Sequence, residues 1–309
     1  MNNGFVCIVL ILASLIVAGC MGVPEETNSN DAVVYSNDGT ALYKLGRFQE
    51  AIVSYDEAIK INPNDAIVHY NKGRALYESG QFQEAITSFN EAIRINPNDA
   101  EAYNNMGAAL AGLGRFQEAI VSYDEAIKIN PNHALTYNNR GYALASLGQT
   151  QEAMDAYEKA IQIDPNCIEA YNNMGLALSD LGLFREAIDS FDEAIRINPN
   201  YVLAYNNRGV EFYKSGQIQE AIDSFDEAIR INPNFALAHY TKGAILHELE
   251  RFQEAIDSFD EAIRINPNDA DSIYLKGAAF YKLGRFQEAL ASYEKAIQLD
   301  ESYAGHYYE

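Results

Sequence analysis

From Ala32 onward, apolar and small residues follow two alternating patterns that return every 34 residues. In the first segment of each unit they occupy positions 3, 4, 8, 11 and 14, the spacing of one helical face. In the second they occupy positions 17, 20, 21, 24, 27, 28 and 30, a broader stripe that in the third unit reads Phe116, Ala119, Ile120, Tyr123, Ala126, Ile127 and Ile129. The pattern predicts two helices per unit and eight units, from Ala32 to Tyr303. Ala187–Asn200 recurs letter for letter at Ala221–Asn234 and Ala255–Asn268. A unit of this size cannot bury its apolar face alone, so the units must stack. The expected fold is all-α, one continuous body of helical hairpins.

Residues of special geometry punctuate the units. Position 8 is glycine from Gly39 to Gly277, and positions 20 and 27 are alanine from Ala51 and Ala58 onward, which lets helix backbones approach. Leucine at one of these positions would overpack the interface by about 1–3 kcal/mol. Gly46, Gly80, Gly114, Gly148, Gly182, Gly216 and Gly284 suit a left-handed turn after the first helix. The seventh unit has Glu250 there, at a strain of about 1 kcal/mol, and its turn is expected to be the distorted one. Asn62-Pro63 and its copies end each second helix, and the Asn or Asp that follows can cap the next. Asp56–Lys60, Asp124–Lys128, Asp192–Arg196, Asp226–Arg230 and Asp260–Arg264 read as i,i+4 pairs on a solvated face, each contributing about 0.3–0.5 kcal/mol.

With these glycine, alanine and proline positions, and Tyr35, Tyr103, Tyr137, Tyr171 and Tyr205 at position 4, the chain resembles the tetratricopeptide repeat family over residues 32–303. The family's tryptophan is absent. The resemblance implies a right-handed superhelical solenoid, with positions 2, 5, 9, 12 and 13 of the first helices lining a concave groove for a protein or extended peptide. These positions vary between units, whereas the second helices are nearly constant. At the amino end the groove would present Val33, Tyr43, Ile67, Tyr70, Arg74 and Tyr77. In the middle it would present Asn104, Asn138 and Asn172 with Ala111, Ala145 and Ser179. At the carboxyl end come Tyr213, Tyr240, His247, Tyr274 and Tyr281, with Lys214 and Lys282 beside them. The tyrosines serve either packing between units or contact with a partner; the asparagines can bond a peptide's backbone. Asn37 to Asn207, at position 6, read as hydrogen bonders between helices. The family's carboxylate clamp, with Lys at position 5 and Asn at position 9, has no match.

The chain's first residues are of another kind. Phe5 to Ala18 is an apolar run of fourteen, short for a bilayer-spanning helix and suited to a signal peptide. Val17-Ala18-Gly19-Cys20 resembles the lipobox of prokaryotic lipoproteins, which implies cleavage before Cys20 and lipid on its sulfur. The expected divisions are a signal peptide at 1–19, lipidated cysteine and flexible tether at 20–31, eight repeats at 32–303 and a truncated ninth unit at 304–309. The expected address is the outer face of the cell membrane, held by lipid. Met1-Asn2-Asn3-Gly4 lacks the family's basic residues, which leaves an uncleaved amino-terminal anchor, or a cytoplasmic chain with a misassigned start, as alternatives.

Charge and chemistry narrow the function. Forty-four acidic against 22 basic residues, net −22, argue against nucleic acid and anionic lipid headgroups as partners. The charge either keeps a long surface soluble or attracts basic partners. Cys167 reads as a small tolerated residue. His247-Glu248 is followed by Arg251 instead of a second zinc-ligand histidine, and no cofactor, metal or catalytic motif is found. No enzymatic activity is expected. The two expectations are a non-catalytic, membrane-held scaffold with a partner in its groove, or a structural lipoprotein that self-associates through its carboxyl-terminal end face, where Leu290, Tyr293 and Ile297 would be uncovered.

Overall fold

The computed structural model describes residues 29–303. The expected signal peptide, Cys20 and the stub at 304–309 lie outside the described residues. Those described form helices without a strand, and fall in two compact units that divide between Ala109 and Leu110. The first holds α1 (Ser29–Lys44), α2 (Phe48–Ile61), α3 (Ala66–Glu78), α4 (Phe82–Ile95) and most of α5 (Ala100–Gly112). The second holds α6 (Phe116–Ile129), α7 (Ala134–Ser146), α8 (Thr150–Ile163), α9 (Ile168–Asp180), α10 (Phe184–Ile197), α11 (Val202–Lys214), α12 (Ile218–Ile231), α13 (Ala236–Glu248), α14 (Phe252–Ile265), α15 (Ala270–Lys282) and α16 (Phe286–Leu299). Odd-numbered helices are the first of their hairpins, even-numbered the second.

Each hairpin closes on a ring. A Cβ built on Gly39 would lie 2.7 Å from the Tyr55 ring, on Gly141 2.5 Å from Tyr157, and on Gly175 2.6 Å from Phe191. The glycine is therefore required by close approach, and the aromatic at position 24 fills the space. Tyr55, Phe89, Tyr123, Tyr157, Phe191, Phe225 and Phe259 are almost wholly buried. Removing such a ring destabilises by about 3–5 kcal/mol.

The turn glycines take φ of +72 to +80°, and Glu250 takes +58°, so the seventh turn keeps the left-handed form and is not the distorted one expected. The same bonds close both kinds of turn: Arg47 N–H donates to Leu42 C=O at 3.0 Å, and Arg251 N–H to Leu246 C=O at 2.9 Å. Helix starts are capped as expected only where position 34 is aspartate. Asp65 accepts from Ile67 and Val68, Asp99 from Ala102 and Asp269 from Ser272. The asparagine directly after each proline does not cap, and where position 34 is His133, Cys167, Tyr201 or Phe235 no side-chain cap forms.

The predicted i,i+4 pairs are not the ones that form. Lys60, Lys128, Arg196, Arg230 and Arg264 pair with the glutamate three residues before them. The aspartates turn instead to the next hairpin. Asp56 meets Lys72 at 2.6 Å, Asp124 meets Arg140 at 2.7 Å, Asp192 meets Arg208 and Asp226 meets Lys242 at 2.6 Å, and Asp260 pairs with Lys276. Each links position 25 to position 7 of the following unit. Position 7 is methionine only at Met106 and Met174, which follow Asn90 and Glu158 at position 25.

Within each unit the first helices also meet one another. α1 touches α3, and α7, α9, α11, α13 and α15 touch in sequence. These rows of first helices carry the candidate binding positions.

Candidate functional site

In the unit up to Ala109, the row brings Tyr43, Tyr70 and Arg74 together. Arg74 Nη2 donates to the Tyr43 hydroxyl at 3.0 Å, and its guanidinium lies 4.7 Å from the centre of the Tyr43 ring and 5.8 Å from that of Tyr70. Contacts of this kind contribute about 0.5–1 kcal/mol when exposed. Asn105 Nδ2 donates to the Tyr70 hydroxyl at 2.9 Å, and the Tyr43 hydroxyl reaches Glu78 at 3.5 Å. No carboxylate among the described residues forms an ion pair with Arg74. Tyr77 is spent on packing, 5.4 Å from Phe82, and burial raises the pKa of both Tyr70 and Tyr77. Val33 and Ile67 are exposed by 59% and 69% and border a hollow of about 500 Å³ with Ser36, Asn37, Ile61 and Asn62.

The asparagines are placed otherwise than expected. Asn104, Asn138 and Asn172 are buried, and cannot offer amides to a peptide on the surface. Asn138 Oδ1 accepts from Asn173 Nδ2 and Asn172 Oδ1 from Asn207 Nδ2, each at 3.0 Å, so positions 5 and 6 form a ladder between first helices. That is the inter-helix role read for position 6, and it consumes position 5 as well. The ladder stops at Asn206, whose buried Oδ1 has no partner because position 6 of the next unit is Thr241, bonded to Leu237 C=O of its own helix. What the same helices expose is apolar: Leu135, Tyr142, Leu176 and Leu203, at positions 2 and 9. These were missed, although position 9 was already marked as variable and its change from Ala108 to Tyr142 and Leu176 was legible.

Toward the carboxyl end the aromatic positions divide between packing and exposure. Tyr240 lies 6.4 Å from Phe259, and Tyr274 lies 5.2 Å from Tyr293 and is stacked 4.7 Å from Tyr303. Tyr281 is exposed beside Phe286. The Tyr213 hydroxyl donates to Glu248, which holds its pKa up. Burial, and then Lys282, lower the pKa of His247, whose Nε2 is buried without a partner. Lys214 donates to Ser179 Oγ at 2.7 Å and to Glu211 Oε1 at 2.8 Å. Glu211 is a buried carboxylate at a position that is Ala or Ile in every other unit, a departure legible in the sequence but passed over. Cys167 is buried and its thiol pKa raised by that burial, so it is a weak nucleophile. Of the end-face residues, Leu290 is exposed while Tyr293 and Ile297 are half-buried.

Family models described as TPR repeat match residues 39–80, 73–114 and 141–182, and models described as tetratricopeptide repeat match 100–133, 122–155, 168–201, 208–270 and 270–303. No curated protein matches the sequence. Among solved structures, Cut9 in the APC/C hetero-tetramer Cut9–Hcn1 is similar with a TM-score of 0.61 at 17% identity, over 92% of this chain and 55% of that one. The human IFIT1 dimer with m7Gppp-AAAA is similar with a TM-score of 0.60 at 17% identity, over 87% of this chain and 72% of that one. YrrB, described as a TPR protein with an unusual peptide-binding site, gives 0.47 at 24% identity, over 61% and 97%. At these identities the likeness to Cut9 and IFIT1 is one of fold.

Proposed function

Since the chain belongs to the tetratricopeptide repeat family, we propose that it is a non-catalytic scaffold that holds a protein or extended peptide on the exposed face of its first helices. The observation that carries this reading is the contrast between register positions. Side chains at position 2, with Tyr142 and Leu176 at position 9, are exposed and differ from unit to unit, from Ile67 to Leu135 and Glu169, while half-buried Arg74 holds position 9 of the second unit. The buried ring and alanine positions hardly change. A surface that varies on a constant frame is what selective binding requires. Arg74, held between two tyrosines and outside any ion pair, can donate to a partner's acceptor without losing a structural bond to acid.

Anchoring belongs to the same proposal and is supported by the sequence alone. Val17-Ala18-Gly19-Cys20 after an apolar run argues for lipid on Cys20 and an extracytoplasmic address. More than one acyl chain is expected there, because one gives only marginal membrane binding. Mass spectrometry of the mature amino terminus tests this: a lipid-modified Cys20 supports the anchor, and an unmodified Met1 removes it. The binding claim is tested by chemical cross-linking in native membranes, wild type against an Ile67→Ser, Arg74→Ala, Tyr142→Ser variant of unchanged melting temperature. Loss of the captured protein in the variant is expected; equal capture would contradict the reading.

One observation favours a second reading. Phe286 is 60% exposed and Leu290 is exposed on the same helix, which suits assembly of copies through α16. Sedimentation of a Leu290→Glu variant tests it, since a purely monomeric wild type would end that reading.

A further inference from the structure

The first helices of the fourth to sixth repeats carry an apolar patch with a distinct electrical setting. Leu135 and Tyr142 on α7, Leu176 on α9 and Leu203 on α11 are each more than two-fifths exposed. α9 touches both α7 and α11; Tyr142 and Leu176 share position 9 on neighbouring helices, Leu135 and Leu203 share position 2 on either side of Glu169, and positions 2 and 9, seven residues apart, lie on one helical face. Scattered exposed leucines need no explanation, but apolar side chains recurring on one face of successive helices suit a contact surface. Every cation of these three helices is already neutralised. Arg140 is paired with Asp124 at 2.7 Å, Arg208 with Asp192 at 2.6 Å, and Lys214 with the buried Glu211 at 2.8 Å. Two of the carboxylates are not. Glu169, at position 2 between Leu135 and Leu203 in register, and Asp180, at position 13, are exposed and form no ion pair among the described residues.

We infer that this face takes an apolar peptide segment carrying a lysine or arginine, its alkyl side chains on Leu135, Tyr142, Leu176 and Leu203 and its cation beside Glu169. The inference rests on the groove reading above and specifies the chemistry of the partner. Alkyl contact with an exposed leucine and tyrosine patch supplies the attraction, and the unpaired carboxylate sets the sign of the charge accepted. Residues 110–309 hold 16 basic against 31 acidic residues, a net charge of −15 that draws such a segment in and repels acidic peptides and anionic lipid.

The test is fluorescence anisotropy of the full chain with three labelled peptides of equal leucine content, one containing lysine, one serine and one glutamate. The lysine peptide should bind tightest, with an affinity that falls as salt rises. A Leu176→Ser variant should weaken all three peptides. Glu169→Lys should weaken the lysine peptide about fivefold and strengthen the glutamate peptide. Equal affinity for lysine and glutamate peptides, or no response to Glu169→Lys, overturns the inference; if Leu176→Ser still weakens binding, the groove reading survives. If neither substitution alters binding of any peptide, both fall. Self-association that Leu176→Ser abolishes would assign the patch to a second copy and likewise overturn it.

Discussion

Two stretches of first helix use the same register positions in different ways. In the second repeat position 5 is Tyr70, whose hydroxyl accepts from Asn105 while its ring flanks Arg74, and the cluster stays half-exposed. In the fourth and fifth repeats position 5 is Asn138 or Asn172, buried and bonded to the asparagine of the next helix. The backbone frame is the same, so the difference lies in side-chain length. The tyrosine hydroxyl at position 5 accepts from the same position-6 asparagine amide as Asn138 and Asn172 do, and its ring in addition flanks Arg74. An asparagine ends inside the seam between helices, where its amide must be satisfied by the neighbouring hairpin. Position 5 therefore serves cohesion with either residue, and a tyrosine there adds a ring face that holds Arg74.

This contrast can be broken most strongly in the ladder. Asn172→Ala leaves the Asn207 amide without its acceptor and should destabilise by about 1–3 kcal/mol, whereas Arg74→Ala, which loses only half-exposed contacts, should cost no more than about 1 kcal/mol. Urea denaturation of both variants checks the difference. The contrast is sharpened by Thr241→Asn, which gives the orphaned Asn206 Oδ1 a donor and should stabilise by about 1 kcal/mol in the same assay. Tyr70→Phe removes only the acceptor of Asn105 from a half-exposed cluster, and about 0.5 kcal/mol of loss is expected. The smallest effect concerns His247. Its pKa in the folded chain is lowered by burial, so the unfolded chain binds the proton more readily; the stability it contributes is present above the ordinary imidazole range near 6.5 and is lost as pH falls through the folded value. Melting temperatures of the wild type should fall across that range by a little more than those of His247→Gln, and parallel curves would contradict the assignment.

Much of this was legible in the sequence because repetition samples each position several times. The 34-residue period and the left-handed turn glycines follow from residues whose geometry allows few alternatives, whereas the close approach at position 8 proves to be that of a ring from position 24 and not of a helix backbone. The ion pairs were misread for a physical reason. Spacing along one helix shows who can meet, but Asp56 has two cations in reach, and Lys72 on the next hairpin is chosen while Lys60 takes Glu57. The replacement of position 7 by Met106 and Met174 where position 25 is not aspartate carried that pairing in the letters. Burial of the asparagines was harder to see. A helical face is broad, and periodicity marks its centre but not the edge along which the neighbouring helix covers it. Hence Asn138 and Leu135, three residues apart on one helix, end respectively under and upon the surface.

The central claim is that partners are held by first helices and not by second ones. A photo-cross-linking amino acid placed at Tyr142 on α7, and in a separate chain at Val121 on α6, tests it with two sites that are both more than half exposed. Irradiation in native membranes should give an adduct with a partner at position 142 and none at position 121. An adduct at position 121 equal to or stronger than that at 142 would contradict the account.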